Sequence, residues 1–295
     1  MELGIGSVQF GLNYGVSNTT GRTSEAEVRR VLALAAASGV RMLDTAAAYG
    51  DSEVVLGRCL SSCHSYLVIT KTVPLDSFTT VENSGRIVRE GVFRSLARLD
   101  QNSVYAILVH NPGDLLGPNG EAVWAELEKI KAEGRMKKIG VSVYEGEEID
   151  ALLSRFPIEI IQVPLNVLDQ RLIKGGQLQR LKKKGVEIHA RSVFLQGLLL
   201  MDPVQAPNYF NPIKEQLIKW RRFVEANGFS PSKAALSFIR SRPEVDVVLI
   251  GVNQAAQLLT NIEEFSTSEN LSLDYSSFAL DDPLYVNPAK WRFAA

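Results

Sequence analysis

The chain has 295 residues, 45% of them hydrophobic, which is enough to bury a substantial core and suits either two ordinary domains or one α/β barrel. Its 32 Lys and Arg stand against 33 Asp and Glu, a net charge of -1, so no field is set up for nucleic acid or an anionic membrane, and a small molecule is the expected partner. The opening MELGIGSVQFG lacks the basic and apolar regions of a secretory signal. No stretch approaches the roughly 20 apolar residues of a membrane span, so a cytoplasmic protein is expected.

Short runs rich in Val and Ile recur, separated by longer segments of helical periodicity, the alternation that predicts parallel strands joined by crossover helices. In chain order, a strand over 3–8 precedes a helix over 24–38, and a strand over 41–44 precedes a helix over 52–60. The pairs continue as 66–71 with 81–99, 104–110 with 121–133, and 138–143 with 147–156. The last three are 158–163 with 176–184, 186–192 with 212–242, and 247–250 with 254–264. Eight such pairs predict a single-domain (β/α)8 barrel over residues 1–295. Ser24 is an N-cap with capping-box spacing to Glu27, and Gly39 and Gly134 follow helices where a left-handed residue is wanted. No linker rich in Pro, Gly or Ser divides the chain, and no period of 20 to 50 residues repeats. A doubly wound sheet is the alternative, but the first strand-to-helix turn, with Gly11 and Gly15, has no G-x-G-x-x-G opening a helix.

In such a barrel the C-terminal ends of the strands form the active face. RMLD, YLVITK and YAILVH each bring a titratable group to the rim of an apolar strand: Asp44, Lys71 and His110, with Tyr49 five residues beyond Asp44. Singly, each reads equally as a turn residue, a half-buried aromatic, a solvated strand end or a core histidine. Together on adjacent strands they suggest chemistry. A tyrosine with pKa near 10 is a weak acid at neutral pH. A neighbouring ammonium, Lys71, stabilises its tyrosinate, Asp44 holds that ammonium in place, and His110 orients a carbonyl oxygen.

LDTAAAYGDSE, VITK and LVHNP resemble, in order and separation, the three signatures of the aldo-keto reductase superfamily, and the resemblance runs from GIGSVQFG to LIGVNQAAQLLTNIEEF. It implies a nicotinamide-dependent reductase of aldehydes, ketones or sugars with Asp44, Tyr49, Lys71 and His110 as its catalytic tetrad. It also implies a cofactor site at Gly6, Ser7, Val8 and Asp44, with Ser142 and Gln162 on the carboxamide and Val143 where Asn is usual. Arg191 replaces the Tyr that stacks on the nicotinamide, and Ser192, Phe194, Gln196 and Gly197 match the pyrophosphate loop. Gly251, Val252, Asn253, Gln257 and Asn261 match the adenosine end, where the usual cation for a 2'-phosphate is missing. NADP(H) is the cofactor the resemblance implies, with NAD(H) open as the alternative.

No metal-binding or P-loop motif supports competing chemistry. Cys59 and Cys63, His64 and His189 read as structural, and the basic run 180–184 as a solvated helix end. Tyr209, Phe210, Tyr285 and Trp291, in loops, suit stacking on a substrate or simple packing. Two other functions stay open: a Schiff-base aldolase using Lys71, and a cofactor-binding regulatory subunit with slow turnover. The oligomeric state is left open.

Overall fold

In the computed structural model, which describes residues 1–60, 66–268 and 273–292, eight short strands form where the apolar runs predict them. They are β1 Glu2–Gly6, β2 Met42–Asp44, β3 Leu67–Lys71, β4 Val104–Val109, β5 Met136–Ser142, β6 Ile160–Pro164, β7 Glu187–Arg191 and β8 Val247–Gly251. Each pairs in parallel with the next, and β8 closes on β1 with Gly4 opposite Leu249, so the sheet is a barrel without edges. Cys63 and His64 lie outside the described residues; Cys59 is a buried free thiol.

The period of two along a strand decides what fills the barrel. Met42, Ile69, Ala106, Leu108, Ile160, Val247 and Leu249 form one apolar cluster inside it. Two residues further along the same strands stand Asp44, Lys71, Gln162 and Gly251, and just past the end of β4 stands His110. The polar rim is therefore the next layer above an apolar plug. At the starts of the strands a second polar group closes the floor: Glu187 accepts from the Tyr105 hydroxyl at 2.7 Å and from His189 Nε2 at 2.6 Å, and pairs with Lys138. His189 is thus structural, as the sequence predicts.

The helices wrap the outside with apolar stripes. On Glu25–Ala37 the buried residues are Val28, Val31, Leu32 and Ala35, the i, i+3, i+4, i+7 face. Ser24 caps this helix by accepting from the Glu27 amide at 3.3 Å, but Glu27 does not return to Ser24. Its carboxylate accepts from the Ala255 amide at 2.7 Å, tying the first long helix to the last. Gly39 and Gly134 are left-handed, as expected.

Among the boundaries that differ from the sequence reading, three change the course of the chain. The first strand stops at Gly6 and residues Val8–Gly11 make one helical turn. The seventh stops at Arg191 because Ser192 has a φ of 59°. The span 212–242 is two helices, Lys214–Ala226 and Pro231–Arg240, broken at left-handed Gly228 and restarted by Ser230, whose hydroxyl accepts from the Lys233 amide at 3.0 Å with Pro231 at the first turn.

Burial alone would raise the Glu187 pKa, but the bonds from His189, Lys138 and Tyr105 outweigh it and hold the carboxyl at about 2. A depressed carboxyl pKa contributes stability that is full above the unfolded value near 4.3 and is lost as pH falls towards 2. Denaturant melts should show Glu187→Gln costing about 1–3 kcal/mol at neutral pH and much less at pH about 2.5; an equal cost at both would mean the network holds no ionised carboxylate.

Candidate active site

Lys71, 1% exposed, is the deepest charge in the rim. Its three N–H donors are all spent, on Asp44 Oδ1 at 2.7 Å, Asp44 Oδ2 at 2.8 Å and the Thr45 carbonyl at 2.8 Å. Burial pushes its pKa down and the Asp44 carboxylate opposes this. Gln162 Nε2 also donates to Asp44 Oδ1, which brings β2, β3 and β6 to one point. A Schiff-base nucleophile must be reachable, and a buried lysine whose three donors are all bound is not.

Above the pair stands Tyr49, half-buried, with Lys71 Nζ 4.9 Å from its ring centroid and the His110 ring edge-on at 5.8 Å. The turn carrying Tyr49 rests on Gly11: a Cβ there would lie 1.8 Å from the Tyr49 carbonyl oxygen and 2.4 Å from the Ser52 amide. Ser52 is tied beneath it, its hydroxyl donating to the Ser7 carbonyl at 2.9 Å and lying 3.0 Å from the Thr45 hydroxyl. Burial raises the Tyr49 pKa, the Asp44 charge adds to this, and the cation that opposes it is Arg191. The sequence reading gives that task to Lys71, which is paired with Asp44 and lies 4.9 Å from the Tyr49 ring centroid. Burial, followed by the charges of Lys71 and Arg191, holds the His110 pKa at about 3, so its ring is neutral at ordinary pH.

These groups lie at one end of a cleft of about 490 Å³. Gly6, Ser7, Val8, Asp44, Tyr49, His110 and Ser142 line that end. Ser192, Phe194, Gln196 and Gly197 follow, then Gly251, Asn253, Gln257 and Asn261. Lys71 and Gln162 sit beneath the lining, and Val252 is buried away from it. Gln257 is committed to its helix, accepting from the Asn253 amide at 2.8 Å, and Asn253 Nδ2 donates to the Gly21 carbonyl at 3.2 Å.

The Arg191 guanidinium lies 4.1 Å over the Tyr144 ring and donates to the Val143 carbonyl at 2.8 Å. Tyr144 and Tyr14 both line the cleft and were not singled out from sequence. Tyr144 directly follows the strand end at Ser142 and Val143, which is the signal that points to it. Ser17, also in the lining, sits against Gly197: with φ of 90°, a Cβ there would be 1.8 Å from the Ser17 hydroxyl. The Val16 amide donates to the Gln196 carbonyl at 2.9 Å, so the loops after β1 and β7 are joined. Tyr209, Phe210, Tyr285 and Trp291 pack on one another, with Phe210 and Trp291 4.9 Å apart and Tyr209 and Tyr285 6.0 Å apart, and none lines the cleft.

The model of the aldo/keto reductase family matches residues 2–276. The chain belongs to this family. An aldo-keto reductase of Mycolicibacterium smegmatis is 30% identical over 141 residues, 45% of this chain and 46% of the relative. An NADH-specific methylglyoxal reductase of Escherichia coli is 27% identical over 179 residues, 55% of this chain and 54% of the relative. The chain spans about half the length of the curated relatives it matches. Among solved structures, the holo form of an aldo-keto reductase from Bacillus halodurans superposes with a TM-score of 0.77 at 22% identity, covering 95% of this chain and 92% of the other. A glycerol dehydrogenase from Gluconobacter oxydans has a TM-score of 0.70 at 20% identity, covering 97% and 92%; both likenesses concern the fold. Aldo-keto reductases are oxidoreductases, and two features of this one fit a nicotinamide dinucleotide. Gln162 Oε1 is buried without a partner while its Nε2 is bound to Asp44, so it is an acceptor suited to a carboxamide amino group. The loop after β7 passes from Phe194 at φ -99° to Leu195, Gln196 and Gly197 at 46°, 54° and 90°, and its right-to-left step at Phe194–Leu195 is the unit of an anion-binding concavity.

Gly11→Ala pushes the Tyr49 turn off its seat. Turnover of this aldo-keto reductase should fall about 10²-fold, the scale of a 1 Å misplacement, with melting lowered by about 1–3 kcal/mol of stability. A variant as active as the wild type would show that the turn does not depend on this contact.

Proposed function

We propose that the protein reduces a small aldehyde, ketone or sugar to the alcohol with NADH or NADPH, Tyr49 giving the proton. The observation that carries the reading is the stack of a neutral Asp44–Lys71 pair, Tyr49 and His110 at one end of a single cleft. A bound dinucleotide would supply the hydride to the carbonyl carbon. Burial keeps the Tyr49 hydroxyl protonated until it meets a carbonyl oxygen, and the charge on Arg191 favours the phenolate left behind. His110, neutral, positions that oxygen without competing for the proton. Gln162 and Ser142 would hold the carboxamide, and the left-handed loop after β7 would hold the pyrophosphate. The name of the methylglyoxal reductase relative agrees with a small, oxygen-rich substrate.

Tyr49→Phe should lower turnover at least ~10²-fold with dinucleotide affinity nearly unchanged. Near-normal turnover in stopped assays with a carbonyl panel would remove Tyr49 from the role.

Among the described residues no lysine lines the cleft, and its single arginine, Arg191, belongs to the catalytic end. The adenosine end presents Asn253, Thr260 and Asn261, neutral groups for a neutral ribose hydroxyl. NADH should therefore bind within about tenfold of NADPH, since a charge-assisted bond to the 2'-phosphate, worth roughly 1.5–3 kcal/mol, is missing. Asn253→Arg should shift the preference about one to two decades towards NADPH in fluorescence titrations. A wild-type preference for NADPH near a thousandfold, about 4 kcal/mol, would overturn the reading.

A further inference from the structure

The charges at the catalytic end of the cleft do not cancel. Asp44 is the only carboxylate in the lining, and Lys71 meets it at 2.7 Å from beneath. Arg191 is the only lysine or arginine in the lining. Its guanidinium meets the Val143 carbonyl at 2.8 Å, the Ser192 hydroxyl at 3.4 Å and the Tyr144 face at 4.1 Å, and no carboxylate among the described residues. His110 adds nothing, being neutral. One unbalanced positive charge remains, fixed on Arg191 by a strand end, a carbonyl and an aromatic face. It is close enough to act on Tyr49 and His110 alike.

A carbonyl takes its proton on oxygen and its hydride on the adjacent carbon, so the group that carries the hydride shares the Tyr49–His110 end of the cleft. In a nicotinamide dinucleotide that ring is neutral when reduced and carries a unit positive charge when oxidised, while the phosphates and adenosine are the same in both. A fixed cation at this end therefore acts on one form and spares the other.

We propose that Arg191 makes the cleft selective for the redox state of its dinucleotide, so that the reduced form binds more tightly and the oxidised form is expelled after turnover. The inference rests on the dinucleotide reading above. Aromatic side chains at this end, Tyr14, Tyr49 and Tyr144, carry no charge to offset the guanidinium. With the effective dielectric of a partly solvated site, a like charge a few ångströms away changes an affinity by about tenfold or more. The consequence is a protein that works as a reductase because accumulated oxidised dinucleotide competes poorly for the site.

The test is separate titration of NADH and NAD⁺, by protein fluorescence quenching or calorimetry, into wild type, Arg191→Met, Arg191→Gln and Arg191→Lys. Wild type should favour NADH by at least about tenfold. Arg191→Met should narrow the ratio by about that factor, chiefly by binding NAD⁺ better, and Arg191→Lys should keep it. Binding of NADH by the Met or Gln variant shows that its cleft is intact, so a folding defect in one leaves the ratio readable in the other. Equal affinities in wild type, or an unchanged ratio in the neutral variants, overturn the proposal. Failure of wild type to bind either form removes the dinucleotide reading and this proposal with it, an outcome distinct from binding both equally.

Discussion

A lysine ammonium buried at the mouth of a barrel has to be neutralised where it stands, and the arrangement around Lys71 follows from that requirement. Each of its donors has an acceptor, two on Asp44 and one on Thr45, and Asp44 is further held by Gln162. Losing one partner of such a pair strands the other at a cost of about 3–5 kcal/mol. Because the partners come from β2, β3 and β6, the pair fixes the relative height of three strands. Tyr49 and His110 take their positions above it.

That height is set in turn by the apolar layer beneath. Met42, Ile69, Leu108 and Ile160 each lie two residues before a polar group of the rim, so a register slip of one residue would turn both layers outward together. The polar groups of the rim and the plug are thus specified by the same alternation. This is why most of the architecture was legible in the sequence: a Val- and Ile-rich run ending in Asp, Lys or His states the strand, its direction and its functional end at once.

What was not legible depends on contacts between distant segments. One exception is local: the span 212–242 reads as one helix by periodicity, although Gly228 and the Ser230–Pro231 pair carry the stop and the restart that divide it. Tyr14 joins the cleft because the loop after β1 folds over the barrel, which nothing in its neighbours' spacing announces, whereas Tyr144 is marked only by following the end of β5. Val252 lies between two cleft residues yet faces the core. Gln257 matches the family's adenosine end but is occupied with closing the first turn of its own helix. The grouping of Asp44, Tyr49, Lys71 and His110 at one rim could be read from motifs; the charge balance around them could not, because it depends on which side chain meets which.

The floor of the barrel has a consequence for traffic. Glu187, with Tyr105, Lys138 and His189, fills the starts of the strands, and the apolar layer lies directly above. The apolar layer and this polar floor lie between the cleft and the starts of the strands, so the cleft opens at the rim like a vessel. Water displaced from Tyr49 leaves by the rim through which ligands arrive. Where one ligand overlies another in such a vessel, the lower must enter first and depart last, and the order of binding is written into the shape of the container.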